Sequence, residues 1–557
     1  MRKSLLLVLL GVFASVRAAQ DPSFVAPMPI AMELSANFGE LRANHFHSGL
    51  DLKTQQAIGQ PVSSIDDGYV SRINISPSGY GNCLYVAHPN GYTSVYAHLD
   101  RFLPFIDSIA KKEQYRRESF AIDLFLEPDA IPVKRGQQFA YSGNTGSSGW
   151  PHLHFEIRDT RTQDPIDPQI FFPIADNMAP RPRRFRLLPL QSQGLVRGKA
   201  SAQNFDVVLL QAGLYGLKSD TIEAWGKIGM AVKAYDHMPL QSNIYGIYRL
   251  QVYVDGNLHF EYLNDRFSFD QTRMINSLID YPMWYQKGEV FMRTYLLPGN
   301  QLPLYPFVSG DGSLLIDEQR DYSVRMIFSD RAGNQSQLRF VVRGVRKPLK
   351  PQPERASQTC FVRQDTNRFE NGEVFLQIPP KALYEDLQFD YARMADSLGL
   401  SDVHHLGQAY VPLQQYADLR IRLHADSVDT SKLYVARGGR KGGWESVGGR
   451  CSDGWIQTRV RELGTFKVLC DTVAPTIRLL NKGAQMRYKI GDTGTGIASY
   501  RGTVDGQWAL FVYDAKNATL RYNFDAKRVQ RGKMHTVALE LTDGVGNRQT
   551  HSVEVWW

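Results

Sequence analysis

The 557-residue chain is 43% hydrophobic and 11% aromatic, enough to pack folded cores and too apolar for a disordered chain. At this length a single core does not suffice, and roughly three to five domains are expected. The formal net charge of +8 is a mild excess that suits an anionic envelope surface or an ordinary soluble one, and nucleic acid is not an expected partner. Cys83, Cys360, Cys451 and Cys470 are too few for a disulfide scaffold and lack Cys-x-x-Cys spacing. Cys83, inside "CLYVAH", reads as a buried thiol, and Cys451 with Cys470 forms the one candidate pair.

In chain order, residues 1–19 read as a secretory signal, with Arg2 and Lys3 before an apolar run and Val16-Arg17-Ala18 at the cleavage point. The run is short for a bilayer span and no later stretch is longer, so no stable membrane span is expected. No cysteine stands near the cleavage point, which argues against a lipoprotein anchor. The mature protein is therefore expected to be exported, to a periplasm or cell envelope. Helical periodicity is scarce, with candidates at 105–120 and 382–398. Elsewhere short alternating runs dominate, such as "YRLQVYVDGNLHFEY", in which Asp255-Gly256 marks a hairpin.

The predicted fold is mainly β. Pro-rich basic stretches near 178–186 and 346–358, and "CDTVAPTIRLL" from Cys470, divide the chain. A first domain spans 20–178, a β-sandwich 179–345, a β-rich domain with a short helical segment 346–470, and an Ig-like β-sandwich 471–557. The phrases "VRMIFSDRAGNQSQLRFVV" and "VALELTDGVGNRQTHSVEV" share strand, Asp-x-x-Gly-Asn turn, strand. Each reads as the last hairpin of a sandwich, with Asp330 and Asp543 as turn residues and calcium ligation as the weaker alternative. The final residues "HSVEVWW" read as a last strand.

The chemistry concentrates in the first domain. "NHFHSGLDLKT" places His47 four residues before Asp51, His98 lies in "VYAHLD", and "WPHLHFEIRD" holds His152 and His154. Residues two apart on a strand share a face, so the last pair presents two imidazoles together. Catalytic zinc takes three nitrogen or carboxylate ligands and keeps one position for water. His47, Asp51 and one of the paired histidines meet that need, and the other can accept a proton. A His-x-His alone is more often coincidence; joined to the upstream His-x-x-x-Asp and the glycine-rich turns, it is far harder to dismiss as one. His-Glu-x-x-His, Gly-x-Ser-x-Gly and Walker motifs are missing.

From about Phe38 to Pro168 the motifs "FGELRANHFHSGLDLKT", "GYGNCLYVAHPNGYTSVYAHL" and "VKRGQQFAYSGNTGSSGWPHLHFEI" resemble the lysostaphin/LytM-type zinc metallopeptidases, which cleave peptidoglycan cross-links. The "FGELR-NHFH" wording is similar to multidomain versions from Bacteroidetes-type bacteria. The resemblance implies an antiparallel β-sheet peptidase domain holding one Zn2+ per chain through His47, Asp51 and His154. It also implies a general base at His152 and a transition-state stabiliser at His98. His45 is expected to be an accessory polar residue, and His88 lies at a non-ligand position.

Two departures stand out. About two dozen extra residues (104–130) follow "YAHLD", either rimming the cleft or forming a passive excursion. Trp150 replaces a small residue before Pro-His-Leu-His, to line the groove or pack beneath it. The implied activity is endopeptidase action on peptidoglycan stem peptides, at D-Ala–diaminopimelate bonds in a diderm periplasm, with an envelope or division-complex protein as a further candidate partner. The alternatives are a catalytically silent activator or scaffold, which usually lacks ligands, and an envelope glycan-binding protein.

Overall fold

The structure is a computed structural model that describes residues 24–239, 241–348, 359–424 and 429–557. The signal segment predicted for 1–19 lies outside these residues. About 50% of the chain is strand and 7% helix, so the mainly β prediction holds. No helix among the described residues is long and apolar enough to cross a membrane.

The first domain is built on one antiparallel sheet, in the order Leu34–Ala36, Leu50–Lys53, His152–Asp159, Tyr92–Leu99, Asn82–Ala87, Gly68–Ile75, Ile122–Phe125. Strand alternation explains its two faces. Leu153, Phe155 and Ile157 are fully buried on the core side with Leu50, Leu52 and Tyr96, and Phe155 meets Tyr96 at 5.5 Å between ring centroids. The polar members of the same strand occupy the other face.

Residues Pro104–Arg117 form the first predicted helix, with proline in its first turn, where a missing N–H costs nothing. Ile106 and Ala110 bury its inner face. The chain then adds Ile122–Phe125 as an edge strand beside Gly68–Ile75. The extra segment neither rims the histidine cleft nor stands apart as a passive excursion. Tyr115 packs edge-on against Trp508 at 4.9 Å, the Arg528 guanidinium stacks on Tyr115 at 3.4 Å, and Glu118 pairs with Arg501 at 2.6 Å. The insert is thus the seat of the last module.

Residues 181–344 form a ten-stranded sheet. Its predicted hairpin joins Arg249–Val254 to Asn257–Leu263, with Asp255 at φ +49° and Gly256 at φ +84°, the left-handed pair that a two-residue turn of this hand needs. This module shares one continuous hydrophobic core with the first domain. Phe267 lies 5.3 Å from Phe38 and 5.1 Å from Phe46.

Residues 367–470 pack two five-stranded sheets over a separate core. The helix predicted for 382–398 is not formed; Leu387–Phe389 and Tyr391–Met394 are strands. Their aromatics decide this. Phe389 stacks on Phe361 at 4.3 Å and Tyr391 meets Phe369 at 4.6 Å, while the backbones pair with Thr359–Phe361 and Val403–Leu406. Helical propensity yields to these cross-strand contacts. Cys451 and Cys470 are unpaired thiols, because Arg450–Ser452 and Gly464–Cys470 belong to different sheets. The last module, 476–556, contains two four-stranded sheets.

Candidate metal centre

The strand His152–Asp159 sets the site, because its register brings three elements together. His154 stands opposite Asp51 on one side and Ala97 on the other, and His152 stands opposite Lys53. Cross-strand partners share a face, so Asp51, His152 and His154 converge. His47 arrives from the loop just before Leu50–Lys53.

The donor atoms meet closely. His47 Nε2 lies 3.0 Å from Asp51 Oδ1, His154 Nδ1 lies 2.8 Å from the same oxygen, and the two imidazole nitrogens are 3.1 Å apart. All three residues are buried. The outer nitrogens are committed elsewhere: His47 Nδ1 donates to the Asn37 carbonyl at 2.6 Å and His154 Nε2 to Glu156 Oε1 at 2.8 Å. Those partners fix the tautomers and turn the lone pairs of His47 Nε2 and His154 Nδ1 toward Asp51. Two unprotonated nitrogens and a carboxylate oxygen would repel one another unless a proton or a metal cation lies among them.

Electrostatics favours positive charge there. Burial raises the Asp51 carboxyl, but His47, His152 and His154 outweigh it and hold the group well below the usual carboxylate range. His154, despite its burial, is lifted to about 9 by hydrogen bonds to Asp51 and Glu156. A metal bound there would have to displace that proton, so its affinity would rise with pH.

His98 reaches the same place by an irregularity. Regular alternation would send it to the core face with Tyr96. Instead the ladder between Asn82–Ala87 and Tyr92–Leu99 carries a register shift, and His98 takes φ +58°. The bulge swings its ring to 4.8 Å from that of His152. His98 Nδ1 donates to the Thr145 carbonyl at 2.9 Å and His152 Nδ1 to the Trp150 carbonyl at 2.8 Å, leaving each with an unprotonated Nε2. Burial, helped by His154 and His152, lowers His98 to about 3.

Sequence reasoning missed the outer partners. Glu156 is fully buried and holds four donors: His154, Ser48 at 2.6 Å, Tyr80 at 2.6 Å and Arg158 at 2.6 Å. The signal was present, since His152, His154, Glu156 and Arg158 follow one another at period two. His45 is exposed, its Nδ1 lies against the Ala43 carbonyl, and it lines the cleft. His88 is tied to the Asp67 carbonyl and Ser94. Trp150 is 84% exposed, so it does not pack beneath the groove.

The cleft over these residues has a volume of about 410 Å³, and Phe269 and Thr272 of the second module line its rim. The side-chain amide of Asn276 in that module accepts from the Asn44 backbone N–H and donates to Asn44 Oδ1. Across the cleft, Lys516 of the last module donates to the carbonyls of Ser148, at 2.9 Å, and Asn144.

A loop-borne His47 with the strand-borne Asp51 and His154, and a carboxylate behind His154, is a group that could hold a metal ion. Residues 45–114 match peptidase family M23, and the N-terminal domain is a LytM-type domain of that family. Residues 358–471 match the Zu5-like domain family. Among curated relatives, the peptidoglycan DD-endopeptidase ShyB of Vibrio cholerae is 37% identical over 111 residues, 20% of either chain. The cell division protein DipM of Caulobacter vibrioides is 27% identical over 149 residues, 26% of this chain and 20% of that one. A solved zinc-containing peptidase from Vibrio cholerae is 28% identical, with 26% of this chain and 39% of that one covered and a TM-score of 0.20. The chain thus spans about a fifth of the length of the curated relatives it matches.

Proposed function

We propose that the M23 domain is a zinc endopeptidase that hydrolyses peptide cross-links of peptidoglycan, at D-Ala–diaminopimelate bonds, in an exported protein. The convergence of His47 Nε2, His154 Nδ1 and Asp51 Oδ1, each imidazole anchored through its outer nitrogen, carries this reading. The donor set fits zinc, being two neutral imidazoles and one carboxylate with no thiolate. When bound by these three residues, zinc would supply an activated water near neutral pH and polarise the scissile carbonyl.

The chain's own residues do the rest. His152, with Nδ1–H held by Trp150, presents Nε2 3.4 Å from Asp51 Oδ1 and is the base that takes a proton from the attacking water. His98 Nε2 is likewise an acceptor at rest, because Nδ1–H is spent on Thr145. It stabilises the developing oxyanion in its other neutral tautomer, with the proton on Nε2 instead of Nδ1, so no proton beyond the one taken by His152 is needed. Phe269 and Trp150 border the approach, and the ShyB relative, a peptidoglycan DD-endopeptidase, supports the substrate class.

The test is a mass-spectrometric digest of defined cross-linked muropeptide dimers, run with zinc, with chelator and with His152→Ala. Chelator-sensitive monomers that the variant does not make are the expected result. A chain that binds one zinc and leaves the dimers intact under all conditions would instead place it among activators or scaffolds.

A further inference from the structure

The two repeated Asp-x-x-Gly-Asn hairpins each complete a second pattern that the sequence does not make obvious. Asp330 closes a group with Asp176 and Asp236, and Asp543 one with Asp471 and Asp492; in each group one ligand atom per residue lies within 4.8 Å of the others. The groups are built alike from distant segments: "DNMAP" and "DTVAP" in the connectors, Asp236 and Asp492 in the middle, "SDRAGN" and "TDGVGN" at the hairpins.

Their hydrogen-bond frames share four bonds, and the last module adds Thr495 on Asp471 and Gly494 and Gly496 on Asp492. The connector aspartate accepts from the backbone two residues on, Met178 N at 3.0 Å and Val473 N at 3.2 Å. The hairpin aspartate accepts from Asn334 N and Asn547 N, each at 2.8 Å. The asparagine amide then bridges that aspartate, at 2.7 Å in both modules, to the connector carbonyl, Asp176 O at 3.2 Å and Asp471 O at 2.8 Å.

One atom of each frame is left over. Asp236 Oδ1 and Asp492 Oδ1 are both buried without a hydrogen-bond partner, and Asp236 is only 2% exposed. An unpaired carboxylate oxygen at the depth of Asp236, facing two further carboxylates, is unfavourable unless a proton or a cation satisfies it, and Asp492, half-buried, presents the same atom in the second group. No Lys, Arg or His forms an ion pair with any of the six among the described residues. Burial and then the charges of Asp330 and Asp176 push Asp236 up to about 8, the response of a carboxylate with no cation beside it.

We propose that Asp176, Asp236 and Asp330, and likewise Asp471, Asp492 and Asp543, form two calcium sites, one at the entry to the second module and one at the entry to the last. Oxygen-only donors in an acidic, half-open setting suit calcium, which takes carboxylates, carbonyls and waters, and disfavour zinc, which prefers nitrogen or sulfur. Each site ties a connector to the hairpin of the module it enters, so calcium stiffens the joints of the chain. This is independent of the zinc reading, because neither group shares a residue with His47, Asp51 or His154.

The test titrates calcium chloride into the chelator-stripped full chain, with calorimetry and thermal melting as readouts. The expected result is two equivalents bound, with affinities of roughly 10⁻⁵–10⁻³ M, and a melting temperature raised by about 4 °C or more at saturation. Asp236→Asn and Asp492→Asn, which keep shape, should each remove one equivalent, and the double variant both. Absence of heat and melting shift at 5–10 mM calcium (about ten times the weakest expected affinity) in the unaltered chain would overturn the proposal. So would an unchanged stoichiometry in a folded double variant. If a variant fails to fold, the unaltered chain's titration and terbium luminescence, displaced by calcium, still decide it.

Discussion

Glu156 shows how much of the candidate metal centre lies behind His47, Asp51 and His154. It orients His154 from behind and is itself held by Ser48, Tyr80 and Arg158. Removing it entirely would strand the buried Arg158 charge, so Glu156→Gln is the informative change. It should weaken zinc affinity and kcat/KM by roughly 10- to 100-fold, measured by chelator competition and by muropeptide turnover. His98 gives a pH signature. Its folded value of about 3 lies below the unfolded value of about 6.5, so the unfolded chain binds the extra proton and acid favours unfolding. The cost is nil above pH 6.5 and grows as pH falls toward 3. His98→Asn, a residue tolerant of the left-handed backbone, should therefore gain stability relative to the unaltered chain as pH drops from 7 to 4. Paired thermal melts across that range check the sign.

At the scale of elements, the loop from Ser142 to Pro151 holds the site's geometry. It supplies the carbonyls that fix His98 and His152. It lies so close to the turn at Gly79–Gly81 that a Cβ on Gly146 would sit 2.4 Å from both Gly79 O and Gly81 N, at φ +69°. Gly146→Ala should cost about 2 kcal/mol or more in stability and at least ten-fold in kcat, read by denaturant unfolding and by turnover with zinc saturating. Much of this level was legible in the sequence. The period-two run from His152 encodes its own face, and Asp255-Gly256 encodes its turn. The strands at 387–394 were not legible, because Phe389 and Tyr391 are decided by Phe361 and Phe369, some 20 to 30 residues upstream.

In the whole molecule, the modules behind the M23 domain return to it. The second shares its core and borders its cleft with Phe269 and Thr272. The last grips the 104–117 helix and reaches the loop beneath His152 with Lys516. The Tyr115–Trp508 contact is worth about 0.5–1.5 kcal/mol beyond its buried area. Trp508→Ala in the full chain should therefore loosen this dock and speed tryptic cleavage after Arg116 and Arg117, which are exposed, without shifting the main melting transition. Limited proteolysis against calorimetry separates the two.

By itself the sequence determined what local pattern can carry: a mainly β chain, the paired histidines on one strand face, the His-x-x-x-Asp before it, the hairpin turns and the insert's helix. Spacing along a strand or helix fixes which side chains share a face, and that needs no partner. The tertiary structure alone decided the rest. A bulge turned His98 out of the core, a neighbouring module finished the cleft, the insert met the last module, and the repeated aspartates gathered from three segments. Each depends on register or on contacts between residues far apart in the chain, which only the folded backbone brings together.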